Sequence, residues 1–144
     1  MTTKPVMSII GAKTLLDALT ALIGASATIK IYSGTQPATT LTGRSGTLGA
    51  TLGMSATPFP ASTSATSNGL ATATANAISS ETNAPASITA GYFSLATSGG
   101  TVIMQGNVGT SAADLILNTT TITIGDTVAI TSFLVTLPCG DGVS

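Results

Sequence analysis

The sequence predicts a mainly β domain, an antiparallel β-sandwich or small barrel that carries one N-terminal amphipathic helix. Three observations predict it. Beyond residue 28 the apolar residues recur with period 2, in short runs rich in Thr, Val and Ile. Turn-forming residues punctuate those runs, as at Ser33-Gly34, Ser98-Gly99-Gly100 and Gly125-Asp126. Before residue 28 a single segment has the helical period instead. No repeat of roughly 20–50 residues is visible, which argues against a solenoid.

Residues 1–12 read as a loose N-terminal arm, because Pro5 and Gly11 discourage regular structure. From Lys13 to Ile23, Leu15, Leu16, Leu19, Leu22 and Ile23 make one continuous helical stripe, and Gly24 can adopt the left-handed conformation that closes a helix. The expected helix is therefore 13–23. A first strand follows at Ile29 and Ile31, then a Gly/Thr/Pro-rich loop over 34–46. Leu48, Ala50, Leu52 and Met54 alternate as a second strand, which Pro58-Phe59-Pro60 ends because neither proline can donate to a ladder. Residues 61–68 read as a Ser/Thr/Ala stretch leading to a turn at Asn68-Gly69, and Leu70 to Ile78 as a weak third strand. Glu81 to Pro85 is a loop. Ile88 to Thr97 and Val102 to Val108 form a hairpin around Ser98-Gly99-Gly100, and Leu115 to Leu117 is a short apolar piece. Ile122 and Ile124 alternate before Gly125-Asp126, and Val128 to Leu137 returns. In that last run Val128 and Ile130 fall on even positions but Phe133, Val135 and Leu137 on odd ones, so one extra residue, a β-bulge, is expected near Thr131-Ser132. The organisation is thus an arm (1–12), one β-rich domain (13–138) and a C-terminal tail (139–144).

The composition is unusual. Charged residues are 6% of the chain, against about 25% in a typical soluble domain. Four cations and five anions give a net charge of −1, and such a surface resists association poorly. Partner subunits are expected to cover much of it, although Thr and Ser could also keep a monomer dispersed. Lys4, Lys13, Lys30 and Arg44 are too few and too scattered for the phosphate contacts that dominate nucleic-acid affinity. No membrane span is expected. Leu15 to Ala27 imitates a signal-peptide core, but it is short and interrupted by Asp17, so it is taken as folded protein.

Chemistry finds little to work with. The chain has no His, the commonest general base and metal ligand. Cys139 stands alone, without a disulfide or imidazole partner. The acids Asp17, Glu81, Asp114, Asp126 and Asp141 suit turn chemistry and solvated edges better than a catalytic pair. Gly43, Gly46, Gly49 and Gly53 lack phosphate-loop spacing, and Asn118-Thr119-Thr120 is a sequon that a Thr-rich chain produces by chance. Neither catalysis nor a metal or other cofactor is expected.

One ordered string of motifs resembles small virion proteins of tailed bacteriophages. It comprises Leu15-Leu16-Asp17-Ala18-Leu19, Ile29 to Pro37, Ala73 to Ile78, Gly91-Tyr92-Phe93, Gly106 to Leu115, Leu117 to Thr120, Thr131-Ser132-Phe133 and Leu137-Pro138, across residues 13–138. The resemblance implies a virion structural protein assembled in the host cytoplasm, of the capsid decoration or cement type. Such proteins are often trimers seated on the major capsid protein where capsomers meet. Its docking candidates would be Lys4 in the arm, Gln36, Pro37 and Arg44 in loop 34–46, and Phe59 in the Pro-bounded segment 55–69. Arg44 would be the best anchor, because its planar fork matches carboxylates and carbonyls. The plainer reading makes Arg44 one exposed loop cation and the phenylalanines core. Rival functions are a tail, neck or fibre-associated virion part, a carbohydrate- or cell-surface-binding module, and a soluble inhibitor directed at the host. Few aromatics and no Trp count against a sugar site.

Overall fold

The computed structural model describes residues 6–65 and 69–138. One helix, α1 (Ile9–Ile23), precedes nine strands: β1 (Thr28–Ser33), β2 (Leu48–Gly53), β3 (Thr63–Ala65), β4 (Leu70–Thr74), β5 (Ile88–Ala96), β6 (Val102–Gly109), β7 (Leu115–Leu117), β8 (Thr121–Ile122) and β9 (Ile130–Pro138). The strands form a single strongly curled open sheet, a half-barrel ordered β2-β1-β5-β6-β7-β9-β4-β3, with β8 added to β5. The expected class, mainly β with one N-terminal helix, is the class observed.

α1 begins four residues earlier than its apolar stripe suggests, so the arm expected over 1–12 is shorter. The cause is Ser8, whose extended backbone and side-chain oxygen, accepting from the Gly11 amide at 3.1 Å, cap the helix ahead of Ile9 and Ile10. Gly11 is tolerated inside the first turn. Gly24, at φ 73°, ends the helix as expected, with its N–H on the Thr20 carbonyl at 3.3 Å. The helix lies over β4, with β9 and β3 beside it.

The core is filled by alternate strand residues: Ile29 and Ile31, Leu52, Phe93 and Leu95, Leu115 and Leu117, with Ile122 and Val128 closing it. Phe133 sits between Phe59 and Phe93, edge-on to each, with ring centroids 5.9 and 5.4 Å away. These contacts fasten the Pro58-Phe59-Pro60 corner and β5 to β9. The bulge expected in the last strand is present. Leu115 faces Phe133 and Ile116 faces Ser132, but Leu117 faces Ile130, leaving Thr131 as the extra residue. That slip lets Val128 and Phe133 both be buried.

Other boundaries differ from expectation. Thr63–Ala65 is a strand paired with β4, although its sequence carries no apolar alternation; Asn68 of the expected turn lies outside the described residues. β4 ends at Thr74, because the next amides turn to Phe133 and Pro58 carbonyls, and Ile78 makes only a bridge to Met54. Ile124 is exposed beyond β8, and Val128 bridges Glu81 rather than opening β9. The sheet is not wholly antiparallel: β7 runs parallel to β6, with Val108 facing Leu115. At the β2 edge, Glu81 Oε2 accepts from the Thr51 amide at 3.3 Å and the Ser79 amide donates to the Gly53 carbonyl at 2.9 Å. Those bonds occupy groups that would otherwise invite another strand.

Asp17 ties α1 to the segment before β3. The Ser62 amide donates to Asp17 Oδ1 at 2.7 Å, and this bond, helped by the Ser62 side chain and the Lys13 charge, holds the Asp17 carboxyl below its ordinary 3.8. A carboxylate held low stays ionised in the fold where the unfolded chain already takes up a proton. Its contribution is therefore complete well above pH 3.8 and is lost as the pH falls through the depressed folded value. Asp17→Asn is expected to lower the melting temperature at neutral pH and to flatten its decline as the pH falls through and below 3.8, read by circular dichroism melts. Leu16→Ala, which empties a site 1% exposed at the centre of the helix–sheet contact, is expected to cost about 2–5 kcal/mol in urea unfolding with an unchanged denaturant slope.

Candidate interaction surfaces

The helix is apolar on both sides. Its buried arc is Ala12, Leu16 and Ile23. Leu15 and Leu22 each lie one residue, about 100° of helical rotation, from Leu16 and Ile23, and both face outward, 53% and 61% exposed. The expected single stripe thus splits into two. Ile10, 75% exposed, Ala18 and Ala21 share the outer face, and the only polar side chain there, Thr14, turns its hydroxyl onto the Ile10 carbonyl at 2.9 Å. Val6 and Met7 extend the exposed apolar surface beyond the helix start. The one polar stripe of the helix, Lys13, Asp17 and Thr20, separates these two apolar sides, and so broad an apolar surface is normally covered. Beside the second half of α1, a groove of about 380 Å³ is floored by Pro58 and Phe59 and walled by Ala21 and Ala25.

A second surface lies on the outer face of β1 and β5. Residues 34–47 fold across it, so that Tyr92 is fully buried on the side of the sheet away from the core. Tyr92 accepts from the Ser45 amide at 3.0 Å and donates to the Ser45 carbonyl at 2.6 Å. Tyr32 stacks on it, centroids 5.3 Å apart and 14° from parallel. The loop comes so close to β5 that a Cβ on Gly91 would collide with the Gly34 carbonyl. Burial, with Tyr92 alongside, raises the Tyr32 phenol above its ordinary value, against an opposing pull from Arg44, so the hydroxyl stays protonated.

Arg44 is the clasp of this loop and not a free anchor. Its guanidinium donates to Gln105 Oε1 at 2.7 Å, to the Thr40 carbonyl at 2.9 Å and to the Thr42 and Thr39 carbonyls. Gln105 in turn donates to the Pro37 carbonyl at 2.6 Å. Of the other docking candidates, Gln36 is exposed, Pro37 is half-buried under that hydrogen bond, and Phe59 is 7% exposed with its ring against Phe133. Lys4 lies outside the described residues, as do Cys139 and Asp141. The structure therefore brings Arg44 and Pro37 together through Gln105 and leaves Phe59 in the core. Sequence reasoning missed Gln105 and Tyr92. The only advance signal was polar and aromatic residues on strands whose opposite face was already apolar.

The described carboxylates are engaged with backbone. Besides Asp17, Glu81 accepts from Thr51 and Asn83, Asp114 from Asn107, and Asp126 from Thr123. Those are the turn and edge roles expected of them. Among the described residues no three His, Cys, Asp or Glu side chains converge as a metal site would require, and no helix is long and apolar enough to cross a membrane.

Compared with protein-family profiles, curated proteins and solved structures, the chain matches none. The clasp geometry carries its own expectation. Gln105→Ala cuts the ties of both Arg44 and Pro37 to β6 and leaves Arg44 only its bonds within the loop, so tryptic cleavage after Arg44 is expected to quicken about 10-fold, while the global melting transition moves little. An unchanged cleavage rate would place the loop's rigidity elsewhere.

Proposed function

We propose that this chain is a non-enzymatic structural protein of a tailed-phage virion, a capsid decoration protein that assembles as a homotrimer and covers capsomer junctions on the major capsid protein. The observation that supports it best is the uncovered outer face of α1. A monomer gains nothing from setting Ile10, Leu15 and Leu22 in water on one helix face. Helices from neighbouring copies packed about a common axis would bury these side chains and the groove beside Ala21 and Ala25. Burial of apolar area at about 25 cal/mol per Å² favours such contact without any charge pair, which suits a chain with 6% charged residues. The resemblance of the motif string to phage virion proteins suggests the particle context, and the same economy of charge fits a protein that works by covering area.

The test is the mass of the purified chain in solution, followed by its addition to particles that lack it. The wild type is expected to sediment as a trimer at micromolar concentration and to add back to particles. The double variant Leu15→Glu and Leu22→Glu, both positions exposed in one copy, should keep its circular dichroism spectrum, with subunit dissociation favoured at least about 30-fold and particle addition lost. A wild type that stays monomeric at high concentration overturns the trimer. A wild type that ignores the particle overturns the virion role.

A further inference from the structure

Beside the clasp, the outer face of β1 and β5 holds a groove of about 300 Å³, lined by Lys30, Tyr32, Arg44, Ser94 and the hairpin at Ser98 and Gly100. Register explains what meets there. Lys30 on β1 faces Ser94 on β5, and Ser94 faces Gln105 on β6, so three polar side chains cross the sheet in one row. Gln105 is spent on Arg44 and Pro37. The rest of the row is not. Ser94 is 3% exposed, yet its hydroxyl has no hydrogen-bond partner among the described residues, and it is not sealed off, because it lines the groove. The Lys30 ammonium and the Tyr32 hydroxyl are likewise without a partner among the described residues. Arg44 donates only to uncharged oxygens, so its charge and that of Lys30 face the groove with no carboxylate paired to either.

A mostly buried hydroxyl, an ammonium and a phenol offered together, with the Arg44 charge beside them, call for a small acceptor that carries negative charge. A polyanion such as nucleic acid needs a row of cations, and the whole chain has four. The groove has two cations in its lining, Lys30 and Arg44, which is enough for a single acidic group. We propose that this groove seats the carboxylate of an acidic side chain presented by a partner protein, one oxygen accepting from Ser94 and the other from Lys30. This goes beyond the assembly reading and rests on it only in taking the partner to be a protein.

The test is an NMR titration of the isotope-labelled full chain at constant ionic strength, with N-acetyl-glutamate methylamide, its neutral glutamine counterpart and inorganic phosphate as probes. The glutamate probe is expected to move the amides of Lys30, Ser94 and Ser98 to Gly100 saturably, and the glutamine probe to bind at least about 10-fold more weakly. Lys30→Met should weaken glutamate binding about 10-fold and Ser94→Ala about threefold, with the remaining spectrum unchanged. Equal response to glutamate and glutamine, wild-type affinity in Lys30→Met, or no saturation by any probe overturns the proposal. Phosphate saturating at lower concentration than glutamate overturns the carboxylate assignment. Because the groove lies on β1 and β5 and the trimer contact is placed on α1, its failure leaves the trimer reading standing, and failure of the trimer leaves this site standing.

Discussion

Scarcity of charge is the constraint on which the rest of this structure depends. With four cations and five anions in 144 residues, the chain cannot use ion pairs to organise its loops or to keep its surface in water. Hydrogen bonds from charged groups to neutral partners do the first task. The described carboxylates take backbone amides, Arg44 gathers loop carbonyls and Gln105, and no described side-chain nitrogen or oxygen is sealed from solvent without a partner. Each of these bonded charges acts as a local nail, because a charged acceptor or donor strengthens a hydrogen bond about twofold.

The surface bears the consequence. Without charge to spread over it, the outer side of α1 remains apolar, and Leu41 and Ile124 also stand in solvent. A fold of this kind has two ways to be stable in a crowded solution: threonine-rich strands that hydrate well, and neighbours that cover the remainder. The half-barrel uses the first on its strand faces and invites the second along the helix. The loop over Tyr32 and Tyr92 is the same solution on a smaller scale, since the chain there covers its own sheet with its own backbone.

Period and punctuation made much of the fold legible. The change from helical to alternating spacing near residue 28, the Ser98-Gly99-Gly100 hairpin and the phase slip at Thr131 all follow from where a side chain must point to be buried. What escaped was set by partners distant in sequence. β3 is a strand because β4 pairs with it, and the parallel β6–β7 pair depends on a loop path that no residue pattern encodes. The start of α1 is encoded in Ser8, a capping residue directly before Ile9, and the cap outweighs the helix-disfavouring Pro5 and Gly11 on either side of it. Arg44 looked free because the residue that claims it, Gln105, lies 61 positions away. Leu15 and Leu22 belong to the same apolar stripe as Leu16 yet stay in solvent, since a stripe of leucines does not say which of its edges the sheet will cover.

Area covered, and not chemistry performed, is the central claim, and the place and number of copies in an intact particle test it most directly. Imaging at a resolution that resolves the half-barrel, with quantitative mass spectrometry of the same particles, should find the chain in threefold clusters on the outer shell, in numbers on the order of the capsomer junctions. A handful of copies confined to a tail or a single vertex, or none at all, would contradict it.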